Sequence, residues 1–568
     1  WGYLNRWNLN SNGDTIFGGR EKISSKLNYY HKPQFTIKDT WSPSNKLFVS
    51  NLVYMSIGQG GGTATVGEPG KTPGGYVDFQ QMYNNNLRSQ NLDDDNEYIS
   101  GSYLRSSINN HYWVGYLGFV DYQFDKNLNL SGGLDLRTYR AEHYREVYDL
   151  LGGDYTKNIE GSNPINHGSK QIKKREGDKI DYFREGFVRW AGGFFQAEYE
   201  TANWTAFFSG SISNQWYQQV DHFKPRIVEL SDTAFEVGLE YNPIAGEIRD
   251  DTVYYQGKAY TPNSPEAELN TTEWESFLGY TLKAGFNYNF TETINGFINL
   301  GHLSKAPRFN NVFDYNNNPY IETQNELIYA VELGGAYNSD KFSMNINPYY
   351  TVWQNKPVDR APTVLIDDEI YRVNIRGIGA RHMGLEIDFA YQPIKQLKLQ
   401  GVFSFGDWIY TTADSAEVTD DLGNVLETIE YDAKNVHVGN AAQTQIGGNI
   451  RFMPFEGFYF QVQGMFFDNY YANFAPSSLT GGDGGKDSWK VPGYFLLDVT
   501  TGYRFTIYDK YKATINLNVL NLADLKYISD ADNNAGFMDY DYNDFDAKSA
   551  AVFFGMGRRF SASLKLYF

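Results

Sequence analysis

Four carboxylates lie within five positions in one polar stretch of the chain. They are Asp93, Asp94, Asp95 and Glu97, and Asn96 stands among them. Several oxygen ligands of this kind together bind Ca²⁺, so these four residues are candidate calcium ligands. Runs of like charge are, however, mostly solvated loops. The sequence therefore favours a solvated acidic loop, with a calcium site as the alternative.

A second acidic stretch, near the C-terminal end, alternates carboxylates with aromatic rings. Its candidate contact residues are Asp539, Tyr540 and Tyr542. Its other members are Asp530, Asp532, Phe537, Asp541, Asp544, Phe545 and Asp546. Acidic and aromatic side chains together could hold a sugar or a peptide, pack against a partner protein, or bind divalent cations. The residues alone leave these alternatives open.

Two cations and two amides surround a proline in the middle of the chain. Lys305, Arg308, Asn310 and Asn311 lie within seven positions that include Pro307. If this segment follows a strand, these side chains could contact a bound molecule or a neighbouring domain. The alternative is that Pro307 and the two asparagines only shape the exit from the strand into a loop.

No pattern in the sequence indicates an enzyme. The eight histidines are scattered without metal-ligand spacing, and no Gly-x-Ser-x-Gly, Walker or HExxH motif occurs. The absence of cysteine excludes disulfides and cysteine-based metal sites. A net charge of −19 argues against nucleic acid as a partner.

The elements that must position these residues are β-strands. In the last nine residues the apolar side chains of Phe560, Ala562, Leu564, Leu566 and Phe568 alternate with more polar ones. Period two over this length predicts a strand with one apolar and one polar face. Mean hydropathy is −0.52, and no run of about 20 apolar residues predicts a membrane-spanning helix. A transmembrane β-strand remains compatible with both observations, because only half of its residues are apolar.

The same alternation recurs along the whole chain and predicts an all-β protein. About 17 strands can be assigned, among them residues 22–41, 326–337 and 397–410. Tight turns and long loops alternate between them, and residues 59–105 form the first long loop. Aromatic residues make up 17% of the chain, which suits the aromatic girdles of a membrane barrel. We therefore predict a transmembrane antiparallel β-barrel in a bacterial outer membrane, with the long loops extracellular.

The outer ends of several predicted strands carry large aromatic side chains, for which an aromatic belt at the membrane surface is the simplest interpretation. Their phase, inward or outward, is not assigned from sequence. These residues are Trp216, Tyr217, Trp353, Trp408, Tyr410, Tyr470 and Tyr471.

Several short stretches resemble TonB-dependent outer-membrane transporters of the Bacteroidota, of the SusC-like or a related type. They are residues 28–34 (NYYHKPQ), 54–62 (YMSIGQGGG), 305–314 (KAPRFNNVFD) and 518–522 (NVLNL). The ending at residues 564–568 (LKLYF) resembles the C-terminal signal that the barrel-assembly machinery reads. The resemblance implies active import of a glycan, a peptide or a metal chelate. It also implies a plug domain, the TonB complex as a partner, and contact with lipopolysaccharide. A SusD-like surface lipoprotein is a further expected partner.

The predicted strand number also bears on domain organisation. Transporters of this kind have about 22 strands around a plugged lumen. We therefore expect residues 1–568 to be the C-terminal part of a single barrel, with the plug and the first strands outside this sequence. The alternatives are a structural subunit of an outer-membrane assembly or secretion complex that has lost transport, and a passive, porin-like channel.

Overall fold

The structure is a computed structural model. It describes residues 2–9, 15–67, 70–157, 172–242, 247–313, 317, 319, 323–356, 363–366, 369–374, 377–419, 425–475, 478–508, 511–534 and 544–567. Over these residues the chain is almost entirely β-structure, with a single α-helix. Within the described ranges, no helix has the length and apolar character needed to cross a membrane.

The strands are numbered in chain order. The first are β1 (Gly2–Leu9), β2 (Thr15–Ile23), β3 (Asn28–His31), β4 (Gln34–Ser44), β5 (Leu47–Val66), β6 (Tyr103–Gln123), β7 (Leu128–Asp149), β8 (Thr156–Lys157), β9 (Lys173–Lys174), β10 (Lys179–Glu200), β11 (Trp204–Asp221) and β12 (Arg226–Glu229). The next are β13 (Ala234–Val237), β14 (Leu239–Asn242), β15 (Glu247–Asp250), β16 (Val253–Tyr255), β17 (Lys258–Tyr260), β18 (Ala267–Glu268), β19 (Asn270–Thr271), β20 (Glu275–Asn289), β21 (Ile294–Lys305), β22 (Glu326–Asn338), β23 (Phe342–Lys356), β24 (Thr363–Ile366) and β25 (Glu369–Asn374). The last are β26 (Ile378–Ile394), β27 (Leu397–Tyr410), β28 (Ala413–Thr419), β29 (Val425–Asp432), β30 (Ala442–Phe452), β31 (Phe458–Tyr471), β32 (Lys490–Val491), β33 (Tyr494–Ile507), β34 (Tyr511–Leu520), β35 (Ile528–Asn533), β36 (Ala550–Phe554) and β37 (Arg559–Tyr567). The helix α1 spans Phe79–Asn86, and short 3₁₀ turns span Ser89–Asn91, Phe309–Asn311 and Gly481–Asp483.

One large antiparallel sheet contains most of these strands. Its pairing order is β4–β5–β6–β7–β10–β11–β20–β21–β22–β23–β26–β27–β30–β31–β33–β34–β37. The short strands β3, β19 and β32 extend three of these positions. Within the described residues, the sheet therefore contains seventeen long strands side by side. Among the described pairings none joins β37 to β3 or β4, and every residue of β4 and β37 is exposed.

The two faces of the sheet differ in chemistry because side chains alternate along each strand. One row of directly paired residues is apolar, and it consists of Ile450, Val462, Val499, Val519 and Phe560. The adjacent row is polar, and it consists of Arg451, Gln461, Thr500, Asn518 and Ser561. We call these the apolar face and the polar face. Apolar-face side chains such as Ile450 and Phe560 are 53% and 74% exposed, so no described part of the chain covers this face.

Short turns lie at one end of the sheet and long connections at the other. Because successive strands are antiparallel, connections that alternate in length must collect at opposite ends. We call the end of the sheet that carries the long connections the long-loop end. These connections are residues 67–102, 150–178, 222–274, 306–325, 357–377, 411–441, 472–493 and 521–558. The strands β6, β7 and β10 have 21, 22 and 22 residues. About 9–11 residues suffice to cross a membrane, so these strands extend well beyond that length.

Two sequence predictions of the N-terminal strands are wrong. Residues 22–41 do not form one strand, because Pro33 interrupts the pairing between β3 and β4 and offers no N–H. The first long loop does not begin at residue 59, because β5 continues to Val66 through a glycine-rich run. A Cβ at Gly60 would lie 2.3 Å from the Tyr29 carbonyl oxygen. Glycine is therefore required by close packing of the strand rather than by a turn.

The described parts of the connections after β5 and β7 are folded and pack against each other. Helix α1 begins where the Asp78 side chain accepts a hydrogen bond from the Gln81 backbone N–H, at 2.9 Å. Its apolar side buries Phe79 and Tyr83 against Leu4 of the N-terminal hairpin β1–β2 and against the connection after β7. The buried Asn86 amide donates to the carbonyl oxygens of Ser102, Leu150 and Leu151 at 2.7, 3.2 and 3.1 Å, which joins two connections.

Candidate functional site

The segment that follows β21 folds back over the polar face of the sheet. The ring of Phe309 lies 5.8 Å from that of Tyr217 and 5.5 Å from that of Phe313. Tyr217 and Val188 are paired on the polar face, and both belong to the same apolar cluster as Val312 and Phe313. This segment, residues 306–313, is called the inner segment below.

A sheet glycine provides the space for the inner segment. A Cβ at Gly186 would lie 2.9 Å from the Phe309 ring, so a larger residue there would displace the ring. The Tyr217 hydroxyl donates to the Pro307 carbonyl oxygen at 3.0 Å, which fixes the start of the segment. The inner segment therefore covers part of the polar face at the long-loop end.

The inner segment and its flank bring together the four predicted residues around Pro307. Lys305 Nζ lies 3.4 Å from the Glu326 carboxylate, and the side chains of Lys305, Arg308 and Asn310 are exposed. Asn311 is half-buried, and its backbone N–H donates to the Arg308 carbonyl oxygen at 2.8 Å. Three of the four side chains therefore remain accessible at the long-loop end of the polar face.

Four rings from neighbouring strands form a second feature of the polar face, which we call the inner aromatic group. It consists of Tyr349 and Trp353 on β23, His382 on β26 and Trp408 on β27. His382 is in phase with Glu386 on the polar face and is paired directly with Trp408. Its ring centroid lies 4.4 Å from that of Trp353 and 5.2 Å from that of Trp408.

Polar atoms give the inner aromatic group a hydrogen-bonding character. Trp408 Nε1 donates to the Tyr349 hydroxyl at 2.8 Å. Within the described part of the chain, the buried Nε2 atom of His382 has no hydrogen-bond partner. Stacked rings with an unsatisfied nitrogen can bind the face of a planar or sugar ring and also hydrogen-bond to it.

The acidic stretch at residues 93–97 surrounds a lysine. Lys173 Nζ lies 2.7 Å from a carboxylate oxygen of each of Asp93, Asp95 and Glu97. These three carboxylates have oxygen atoms within 4.8 Å of one another, and Asp94 is not a member of this described group. The lysine ammonium thus lies where the three carboxylates would hold a cation, and it links the connection after β5 to the connection after β7.

The charges of this group are stabilised mutually. Hydrogen bonds from Lys173 and from the Glu97 backbone N–H hold the pKa of Asp93 well below its usual range. Lys173 and Arg175 lower the pKa of Glu97, and the three carboxylates raise the pKa of Lys173. Burial, then a 2.9 Å hydrogen bond to Asp93, raises the pKa of Tyr155 to about 12. Asp93, Glu97, Lys173 and Tyr155 therefore keep their neutral-pH charge states over a wide pH range.

The second acidic stretch is described only at its ends, because Asp539, Tyr540 and Tyr542 lie outside the described residues. Its first part is tied to a sheet strand, since the Tyr470 hydroxyl donates to Asp530 at 3.0 Å. In its last part Phe545 is buried, and its ring lies 6.0 Å from that of Phe474. The three predicted contact residues remain predictions.

The chain matches the family described as "TonB dependent receptor-like, beta-barrel" over residues 2–522. The chain belongs to the TonB-dependent receptor family. Members of this family are outer-membrane proteins, and they are transporters rather than enzymes. No curated protein matches the sequence.

Several solved structures share the fold of this TonB-dependent receptor chain. They include the copper transporter OprC, at 13% identity and a TM-score of 0.55, with 97% of this chain and 67% of that chain covered. The closed form of the ferric-catecholate import receptor Fiu from E. coli K12 is 12% identical, with a TM-score of 0.56, and the match covers 96% of this chain and 65% of that chain. The ferric yersiniabactin uptake receptor FyuA from Yersinia pestis is 11% identical, with a TM-score of 0.54, and the match covers 97% of this chain and 64% of that chain. The chain spans about two thirds of the length of these structures.

Proposed function

We propose that this chain forms the barrel of an importer that takes a nutrient across the bacterial outer membrane with energy supplied through TonB. The family match over residues 2–522 is the observation that carries this proposal. In this arrangement the apolar face contacts lipid, and the polar face lines the passage. The long-loop end, with its folded connections, faces the outside of the cell.

The ligand contacts that we propose are the inner aromatic group and the accessible side chains beside the inner segment. Both lie on the polar face near the long-loop end, and because Lys305 ends β21, only β22 separates them in the sheet order. Aromatic rings bind sugar rings, apolar peptide side chains and the rings of metal chelators, so these three nutrient classes are supported. Of the solved structures named above, OprC is a copper transporter, Fiu is a ferric-catecholate import receptor, and FyuA is a ferric yersiniabactin uptake receptor.

Further parts of the proposal concern partners. A SusC-like relationship within the Bacteroidota would add a SusD-like surface lipoprotein at the long-loop end. Lipopolysaccharide would contact the outer part of the apolar face, and calcium would be held by carboxylates of the second acidic stretch. The sequence resemblance supports these partners, and the net charge of −19 favours uncharged or cationic nutrients.

Uptake by cells that produce the whole protein tests this function. Growth on the nutrient should require both the protein and TonB. Replacing Trp408 with alanine should weaken ligand binding about three- to tenfold, because one stacking partner is lost. The matched control is Trp41→Ala, since Trp41 is 60% exposed on the apolar face. Uptake that continues without TonB would contradict active import, and a protein that cells require but that takes up no nutrient would favour the structural-subunit alternative.

A further inference from the structure

The connection between β11 and β20 is a small folded unit with its own core. It contains a sheet with the pairing order β13–β12–β18 and two hairpins, β14–β15 and β16–β17. Val228, Val237, Tyr260 and Ala267 are its buried residues. A connection with an interior of this kind holds its surface groups in fixed positions, so a site on it is preorganised.

This unit contains a cavity of about 190 Å³ beside its junction with the sheet. The lining includes the consecutive residues from His222 to Arg226, together with Val237, Leu239, Asp250 and Asn263. The volume corresponds to about six water molecules. It is smaller than the pockets of about 300 Å³ or more that take drug-sized ligands. The cavity therefore suits a molecule about the size of one or two amino-acid residues.

The cavity wall carries both signs of charge. Lys224 and Arg226 supply cations, and Asp250 supplies an anion. The Asn263 amide donates to Asp250 at 3.1 Å, and the Arg226 guanidinium donates to the Ala267 carbonyl oxygen at 3.2 Å. Within the described residues no carboxylate pairs with Arg226. These hydrogen bonds orient the charged groups of Arg226 and Asp250 in the lining, where one ligand can meet both a cation and an anion.

The remaining lining combines apolar side chains with His222 and Asn263. Pro225 and Pro262 contribute fixed rings, and Val237 and Leu239 contribute branched aliphatic side chains. A ligand must therefore present an apolar body together with one positive and one negative group.

We propose that this cavity binds a small zwitterion with an apolar side chain, either a free α-amino acid or a dipeptide. The ligand carboxylate pairs with Arg226 and Lys224, the ligand ammonium pairs with Asp250, and the side chain lies against the two prolines. Binding here does not require transport, so the site is independent of the proposed import function. It would capture amino compounds at the long-loop end, away from the inner aromatic group.

Calorimetric titration of the purified full chain in detergent tests the proposal, with L-leucine and glycyl-L-leucine as probes. Saturable binding of at least one of them is expected, and the two arms distinguish the free amino acid from the dipeptide. N-acetyl-L-leucine lacks the ammonium and L-leucinamide lacks the carboxylate. Each blocked compound should bind about tenfold or more weakly than leucine, because a charge-assisted hydrogen bond is lost.

Variants assign each charge to its partner. Asp250→Asn should weaken leucine about tenfold but leave N-acetyl-L-leucine unchanged, and Arg226→Gln should weaken leucine but leave L-leucinamide unchanged. Arg249→Gln is the matched control, because Arg249 pairs with Glu240 at 2.8 Å outside the cavity. Absence of saturable binding of both probes would overturn the proposal. Equal losses for free and blocked compounds would also overturn it, because they would indicate a purely structural role for the charges.

Discussion

Removing one ring from the inner segment should release that segment from the polar face. Phe313 is only 6% exposed and packs in the cluster with Tyr217 and Val312. Replacement of a buried Phe by Ala costs about 3–5 kcal/mol. The cluster supplies most of the apolar contact between the inner segment and the sheet. We therefore expect Phe313→Ala to lower the free energy of segment opening by about 3 kcal/mol.

The absence of cysteine from the chain allows a direct assay of this opening. Ala306 is 6% exposed at the start of the inner segment, so a single thiol introduced by Ala306→Cys should react slowly with a maleimide. If the segment closes faster than the thiol reacts, the labelling rate follows the open population. A loss of about 3 kcal/mol then raises the rate on the order of a hundredfold.

The control is Asn310→Ala, combined with the same Ala306→Cys substitution. The Asn310 side chain is exposed on the same segment and belongs to no buried cluster, so labelling should remain within about twofold of the parent. A rate increase of less than about threefold for Phe313→Ala would refute the reasoning, since the expected loss of stability predicts a far larger change. It would mean that the contacts of Phe309 and Tyr217 hold the segment without the second ring.

Three other predictions concern the folded connections at the long-loop end. Lys173→Met should create a calcium site, so Ca²⁺ at about 1 mM should raise the melting temperature of the variant but not of the parent. Because Tyr155 keeps its proton to about pH 12 when folded but only to about pH 10 when unfolded, stability should fall as pH rises between these values. Asn86→Ala should destabilise the joined connections by about 1–3 kcal/mol, as measured by their rate of proteolytic nicking.

Each of these predictions has a matched comparison. Lys174→Met, one residue away, leaves the three carboxylates paired and should not confer a calcium response. Tyr155→Phe should remove part of the alkaline loss of stability, and an unchanged pH profile would contradict the prediction. Asn84→Ala, on the exposed side of α1, should leave nicking unchanged. Equal nicking of the Asn84 and Asn86 variants would argue against the buried amide as the joint between the connections.

The strands of the large sheet could largely be predicted from the sequence. Residues 397–410 were predicted as a strand, and β27 has these bounds, Leu397–Tyr410. For residues 326–337, β22 ends one residue later. Alternation is a local property, and it is strong here because one face is apolar and the other polar over many consecutive pairs.

The features of the candidate site could not be predicted to the same extent, since they depend on contacts between distant parts of the chain. Lys173 meets Asp95 across 78 positions, and the acidic stretch alone gave no indication of this lysine. The phase of Trp353 and Trp408 was unassigned near the strand ends, although alternation from Glu386 could have placed His382 on the polar face. The inner segment folds inward because of Gly186, whose role is visible only in the assembled sheet.

The folded unit between β11 and β20 has both of its ends at one place on the sheet. The chain leaves at Asp221 and returns at Asn270, which is paired with it, and the Thr272 N–H donates to the Gln219 carbonyl oxygen at 2.9 Å. An insertion with adjacent ends and a core of its own is a transferable module. A short turn could replace it without altering the register of the sheet, and grafting it between two paired strands of another barrel would carry its cavity along.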